Sequence, residues 1–200
     1  MKGLIITYCL MLSVFFAANA QYQDEVKKEY AFEKASAGNV FYLANINGNI
    51  TAEGYDGDKI ILEGKRTIRA KTDARLTQAK EELTLVTMDR YDTIIVYVQG
   101  KCRQFEKGNS KLNKTRSDWG YNWNDCNGDY REDYDWNYDF TLKVPHGMNI
   151  SLSTVNDGDI VVAGINGKIR ANNINGSISI DNVNSAIYAY TVNGDLDINY

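Results

Sequence analysis

The side chains with the most chemical character gather between residues 100 and 133. Trp119, Tyr121 and Trp123 alternate along the chain, so in an extended segment they project from one side. Residues 101–116 hold six basic residues and one acidic residue. Residues 117–139 hold one basic and seven acidic residues and all three tryptophans, the last being Trp136. Aromatic faces can stack on sugar rings while neighbouring Asp and Asn bond hydroxyls, so Trp119, Tyr121, Trp123 and Trp136 are candidate ligand-binding residues of a glycan or peptide platform. The same composition also permits a satellite core, in which the basic and acidic limbs fold onto each other and the aromatics pack together.

Cys102 and Cys126 lie in the same segment. In an exported chain an even cysteine count predicts a disulfide, which would close the base of the insertion and contribute roughly 3 kcal/mol by loop closure. No Cys or His cluster surrounds the pair, so no metal and no cofactor is expected. Asp125-Cys126-Asn127-Gly128-Asp129 has the look of a calcium loop, but aligning its glycine puts Trp123 and Tyr134 at the first and last ligand positions, which excludes the helix–loop–helix site. His146, the only histidine, sits in Pro145-His146-Gly147, a turn sequence that reads as structural. No Ser/His/Asp or Cys/His set assembles around it, and nothing marks any carboxylate pair for glycoside hydrolysis. Four Asn-x-Ser/Thr matches, at Asn49, Asn113, Asn149 and Asn175, carry little weight in an Asn-rich chain.

The elements that must hold this segment are repetitive. Gly158-Asp159-Ile160, Gly167-Lys168-Ile169, Gly176-Ser177-Ile178, Ser185-Ala186-Ile187 and Gly194-Asp195-Leu196 recur at a nine-residue step. The columns are aliphatic at Ile160, Ile169, Ile178, Ile187 and Leu196, again at Val162, Ala171, Ile180, Ala189 and Ile198, and again at Ile165, Ile174, Val183 and Val192. A further column is Asn166, Asn175, Asn184 and Asn193. Asn45-Ile46-Asn47-Gly48-Asn49-Ile50 opens the same pattern earlier in the chain. A β-meander turning at each Asn-Gly leaves no clean apolar face in either register tested, whereas stacking at multiples of nine puts Ile on Ile and Asn on Asn. The expectation is therefore an all-β, parallel β-solenoid of the β-helix or β-roll type, built from nine-residue half-coils. One glycine per corner and only Asp159 and Asp195 in the acidic position argue against a calcium roll.

The remaining elements interrupt the repeat. Residues 72–83 read as a short helix capped by Thr72 or Asp73, with Leu76, Ala79 and Leu83 on one face. Residues 92–98 alternate, with Ile94, Val96 and Val98 on one side. Tyr134, Trp136, Tyr138, Phe140, Leu142 and Val144 do the same later, and the polar insertion 100–133 lies between. Residues 21–37 begin polar and charged, with an edge strand starting near Tyr30.

Residues 1–20 read as a secretory signal peptide, with Lys2 first, an apolar run, and Ala18-Asn19-Ala20 as the cleavage site. The apolar run is too short for a permanent anchor, and Cys9 after Tyr8 does not fit lipidation. The mature chain, residues 21–200, is one domain's worth. Losing Lys2 leaves 21 basic against 26 acidic residues, a net of −5, which argues against a nucleic-acid partner.

Taken in order, several segments resemble a family of exported bacterial β-strand-repeat proteins labelled "putative adhesin". They are Asn45 to Ile50, the helix followed by Tyr91-Asp92-Thr93-Ile94-Ile95-Val96-Tyr97-Val98, the Trp/Tyr/Asp-rich loop, and Phe140 to Met148 leading into Ser153 to Ile160. The resemblance implies a β-solenoid-like domain in the periplasm, on the outer surface or secreted, with no established enzyme activity and no catalytic residues to carry over. Members of that family usually continue with further repeats, so a chain stopping in mid-unit at Asn199-Tyr200 reads as a fragment. The functional expectation is a non-enzymatic protein that binds a glycan or a cell-surface protein, or scaffolds. The alternatives are a polysaccharide-active enzyme using the acidic aromatic loop and a purely architectural envelope protein.

Overall fold

The computed structural model describes residues 20–101, 104–107, 119–122 and 133–200. Period-two patterning makes most of the chain extended. The strands are β1 (Ala20–Tyr30), β2 (Val40–Ala44), β3 (Ile50–Tyr55), β4 (Ile60–Ala70), β5 (Thr84–Asp89), β6 (Thr93–Gln99), β7 (Gln104–Lys107) and β8 (Trp119–Asn122). They continue with β9 (Tyr134–Pro145), β10 (Asn149–Ser153), β11 (Ile160–Ala163), β12 (Ile169–Asn172), β13 (Ile178–Asp181), β14 (Ile187–Tyr190) and β15 (Leu196–Asn199). A helix, α1 (Asp73–Glu82), follows β4; the Thr72 side chain caps it by accepting from the Arg75 amide, and Ala79 and Leu83 bury its inner face.

A seven-stranded sheet runs β1-β4-β9-β3-β11-β13-β15, and a six-stranded sheet runs β14-β12-β10-β2-β6-β5. One aliphatic and aromatic core is shared between them, with Phe41, Leu43, Ile94 and Ile150 from the six-stranded sheet meeting Ile50, Leu62, Leu142 and Ile160 from the other. β7 and β8 pair only with each other, as a third, two-stranded ribbon.

The expected parallel β-solenoid is overturned by the sheet composition. Both sheets are mixed: β1 with β4, β4 with β9, and β5 with β6 pair antiparallel. β1 and β4 are 11 residues long and β9 is 12, which no nine-residue half-coil accommodates. The physical reason is that the repeat fixes which short strands lie side by side, while the long alternating segments outside it pair by their own pattern and turns. No disulfide is found among the described residues, and Cys102 and Cys126 lie outside them.

Within the repeat, parallel neighbours are 18 residues apart: Ile160 beside Ile178 beside Leu196 in one sheet, and Ile150 beside Ile169 beside Ile187 in the other, the step there being 19 then 18. Segments joined at Asn175-Gly176 therefore lie in different sheets. The asparagine side chains form a ladder at the corners. Asn156 Nδ2 donates to Asn47 Oδ1 at 3.2 Å, Asn175 to Asn156 at 3.2 Å, and Asn193 to Asn175 at 2.9 Å. The extra residue at Asp157 is absorbed by a left-handed backbone (φ 48°), a conformation Asp tolerates better than most side chains.

β1 is longer than the sequence suggested. Tyr22, Val26 and Tyr30 pack against the core, but the inward position between the first two is Asp24, which hides the alternation. Arg66 on β4 neutralises that Asp through two contacts, at 2.8 and 2.7 Å.

Candidate binding face

Side chains on one face of a strand recur every second residue and meet their neighbours directly across the sheet. On the outer face of the six-stranded sheet this produces two rows. The first runs Met88, Ile95, Tyr42, Ser151, Arg170, Tyr188; the second runs Val86, Tyr97, Ala44, Ser153, Asn172, Tyr190. The two halves of these rows differ in chemistry.

The half on β5, β6 and β2 is apolar and is covered by the ribbon of β7 and β8. Phe105 from β7 is buried there. Its ring lies 4.8 Å from Tyr97, 5.6 Å from Tyr42, 5.1 Å from Tyr121 and 6.0 Å from Trp119, and these rings form a second core outside the main one. Polar tips are satisfied at its margin. The Tyr121 hydroxyl lies 2.9 Å from the Val98 carbonyl and 3.1 Å from that of Ala44, and the Tyr42 hydroxyl donates to the Trp119 carbonyl at 3.2 Å. The Arg90 guanidinium sits 5.7 Å from the Trp119 ring, within cation–π range. Burial raises the Tyr97 phenol above its ordinary pKa.

The half on β10, β12 and β14 is more polar. Tyr188 is 54% exposed and Tyr190 49%. Arg170 lies 5.5 Å from the centre of the Tyr188 ring. Ser151, in register between Tyr42 and Arg170, is only 6% exposed, and its Oγ has no hydrogen-bond partner. The ribbon thus stands on one half of the face, and the covered Ser151 hydroxyl lies in register between Tyr42 and Arg170.

The sequence-predicted residues fall in three places. Trp119 and Tyr121 are on β8, half-buried over the six-stranded sheet. Trp136 is on β9, 6% exposed in the core between the sheets. Trp123 lies outside the described residues, as do both mature-chain cysteines. The structure places Trp119 beside Tyr121 through Phe105 and puts Trp136 in a different layer.

Sequence reasoning missed Arg170, Asn172, Tyr188 and Tyr190. The signal was present but averaged away. The outward column at the nine-residue step reads Val161, Arg170, Ser179, Tyr188, Asp197, a mixture without character. Sampled every 18 residues it separates into Arg170 and Tyr188 on one sheet and Val161, Ser179 and Asp197 on the other.

Two other polar places have their main groups in internal contacts. A shallow groove of about 460 Å³ on the seven-stranded sheet is lined by β1, β4 and β9, and its Lys27 and Glu63 pair at 2.7 Å. His146 Nδ1 is 2.5 Å from the Gly164 carbonyl, which ties the turn after β9 to the corner after β11, and its Nε2 is 3.6 Å from exposed Asp56 in the turn after β3. Among the described residues no group of three His, Cys, Asp or Glu could hold a metal ion, and no helix is long and apolar enough to cross a membrane.

No family model matches the chain, and no curated protein matches it. Among solved structures, the chain is similar to a putative cell adhesion protein from Clostridium sporogenes at 10% identity and TM-score 0.46, covering 89% of this chain and 99% of that one. A putative lipid binding protein from Parabacteroides distasonis shares 14% identity at TM-score 0.32, covering 88% and 60%. A putative adhesin from Bacteroides fragilis shares 11% at TM-score 0.26, covering 88% and 97%.

Proposed function

We propose that the protein is a non-enzymatic, exported binding module whose contact surface is the outer face of the six-stranded sheet, beside the β7–β8 ribbon. Export is supported by the leader-like residues 1–20, and action in the periplasm or on the outer cell surface follows from it. The observation that supports the binding role is the Tyr188 ring, 54% exposed on the outer face of the six-stranded sheet. Sheets normally turn aromatic area inward, so an exposed ring of this size marks a place of contact. The ligand class that fits a flat row of rings and short polar groups is a glycan, which offers an apolar ring face and a rim of hydroxyls.

The test is a glycan panel presented to the mature chain, with reducing ends assayed in parallel. Binding without new reducing ends is the expected result, lost in the Tyr188→Ala/Tyr190→Ala double variant. New reducing ends would replace this reading with a polysaccharide-active enzyme, and failure of both glycan and protein screens would favour an architectural role.

A further inference from the structure

The chain holds five Asn-Gly pairs, and a glycine after asparagine leaves its backbone nitrogen sterically open to the asparagine side chain. The pairs beginning at Asn47, Asn166, Asn175 and Asn193 lie at corners of the repeat, and Asn127-Gly128 lies outside the described residues. Three of the corner glycines have the N–H tied down. Gly48 donates to the Asn156 carbonyl at 3.2 Å, Gly167 to that of His146 at 3.1 Å, and Gly176 to that of Asn193 at 2.9 Å. The Gly194 N–H has no hydrogen-bond partner among the described residues. Burial runs the same way: Gly48 and Gly167 are buried, Gly176 is half-buried and Gly194 is exposed. In the asparagine ladder, Asn47 and Asn175 each donate through Nδ2 and accept through Oδ1. Asn193 donates to Asn175 at 2.9 Å, and its Oδ1 accepts from no described residue.

We infer that Asn193-Gly194 is a site of spontaneous deamidation in the folded protein, while the fold protects the other three corner pairs. The Gly194 nitrogen gives its proton to solvent base and attacks Asn193 Cγ. A C–N bond forms, the Cγ–Nδ2 bond breaks, and Nδ2 leaves as ammonia with a proton returned from solvent. Water then opens the five-membered imide at either carbonyl, leaving aspartate or isoaspartate; nothing is oxidised or reduced. An amide N–H already bonded to a carbonyl resists losing its proton and has its peptide plane fixed, so attack at Gly48, Gly167 or Gly176 waits for local opening. The product disturbs the ladder because the ladder has a direction. Asn175 sends Nδ2 to Asn156 and Oδ1 toward Asn193, so a carboxylate at position 193 faces an acceptor where a donor stood. Turning the Asn175 amide over would set its Oδ1 against that of Asn156. Isoaspartate also adds a methylene to the backbone of the corner leading into β15, the edge strand of the seven-stranded sheet. β15 then frays.

The test incubates the mature chain at mildly alkaline pH, folded and in urea. Peptide mass spectrometry follows amide-to-acid conversion, with fragmentation to separate position 175 from 193. In the folded chain Asn193 is expected to convert at least about tenfold faster than Asn47, Asn166 and Asn175, and in urea the four rates should converge. Hydrogen exchange in the converted chain should speed up at β15 and stay unchanged at β3. Asn193→Gln should abolish conversion at this corner; Gly194→Ala is no substitute, because a Cβ there would clash with the Gly176 carbonyl. Any of the other three pairs matching or outpacing Asn193 in the folded chain would overturn the assignment, as would a rate order unchanged by urea. Unaltered exchange at β15 would overturn the fraying and leave the modification site standing.

Discussion

The Asn45 side-chain amide donates to the Tyr138 carbonyl at 2.6 Å across 93 residues of sequence. The contact joins the first repeat to the strand that returns from the insertion. Asn45 is fully buried, its amide also reaches the Gly48 carbonyl at 3.1 Å, and its Oδ1 accepts from the Ile46 amide at 2.8 Å.

Asn45→Ala is therefore expected to lower stability by about 2–3 kcal/mol, since buried carbonyls lose their donor. Asn45→Asp keeps the shape but turns a carboxylate toward carbonyl oxygens, for a loss of about 3–5 kcal/mol at neutral pH. Burial among acceptors raises that carboxyl's pKa above the unfolded value. Stability of the Asp variant should then recover as pH falls toward the unfolded carboxylate range, relative to Asn45→Ala, in urea melts at pH 7 and pH 4.5.

Gly48 sits on the same contact. Its φ is 115°, and a Cβ there would meet the Tyr138 carbonyl oxygen at 2.6 Å. Gly48→Ala combines a left-handed backbone with a clash against main chain and is expected to cost about 3 kcal/mol or more. Gly147→Ala is the control: a Cβ there meets nothing within 4 Å, and its melt should stay within about 1 kcal/mol of the parent.

Asp24 and Arg66 hold β1 to β4, and Arg66 also donates to the Leu83 carbonyl at the end of α1 at 2.5 Å. The hydrogen bond to Asp24 holds the guanidinium pKa above its ordinary value. The Arg66 side chain is 13% exposed and Asp24 34%, so solvent weakens the pair and Asp24→Asn should cost about 1–2 kcal/mol. Arg66→Ala should cost more, because the helix end loses its donor too. A double-mutant cycle in urea should return a favourable coupling; a coupling near zero would mean the pair contributes only packing.

Tyr138 is expected to contribute to the alkaline limit of stability. Burial pushes its phenol up to about 12, partly offset by Arg66. A phenol whose folded pKa is raised supports the fold fully below the unfolded value near 10 and withdraws that support as pH rises through the folded value. Stability should fall between about pH 10 and 12, and Tyr138→Phe should flatten that limb by roughly 2–3 kcal/mol. Circular dichroism melts across that range check it; an unchanged limb in the Phe variant would assign the loss to other tyrosines, of which Tyr30 and Tyr97 are also shifted upward by burial.

By itself the sequence determined the inward columns, the helix with its Thr72 cap, and the alternation of β9 from Tyr134 to Val144, because each follows from a local period that one segment carries alone. It also placed like residues beside like, as in Ile160 and Ile178. Tertiary structure decided how the long strands pair, and hence that the sheets are mixed, because antiparallel partners such as Ile68 and Trp136 are chosen by register between distant segments. It decided that Asp24 could sit on an inward position, since only folding brings Arg66 to it. It decided the make-up of the outer sheet faces as well. Arg170 and Tyr188 become neighbours only when successive nine-residue units are dealt to opposite sheets, and a sequence period does not state to which sheet each unit goes.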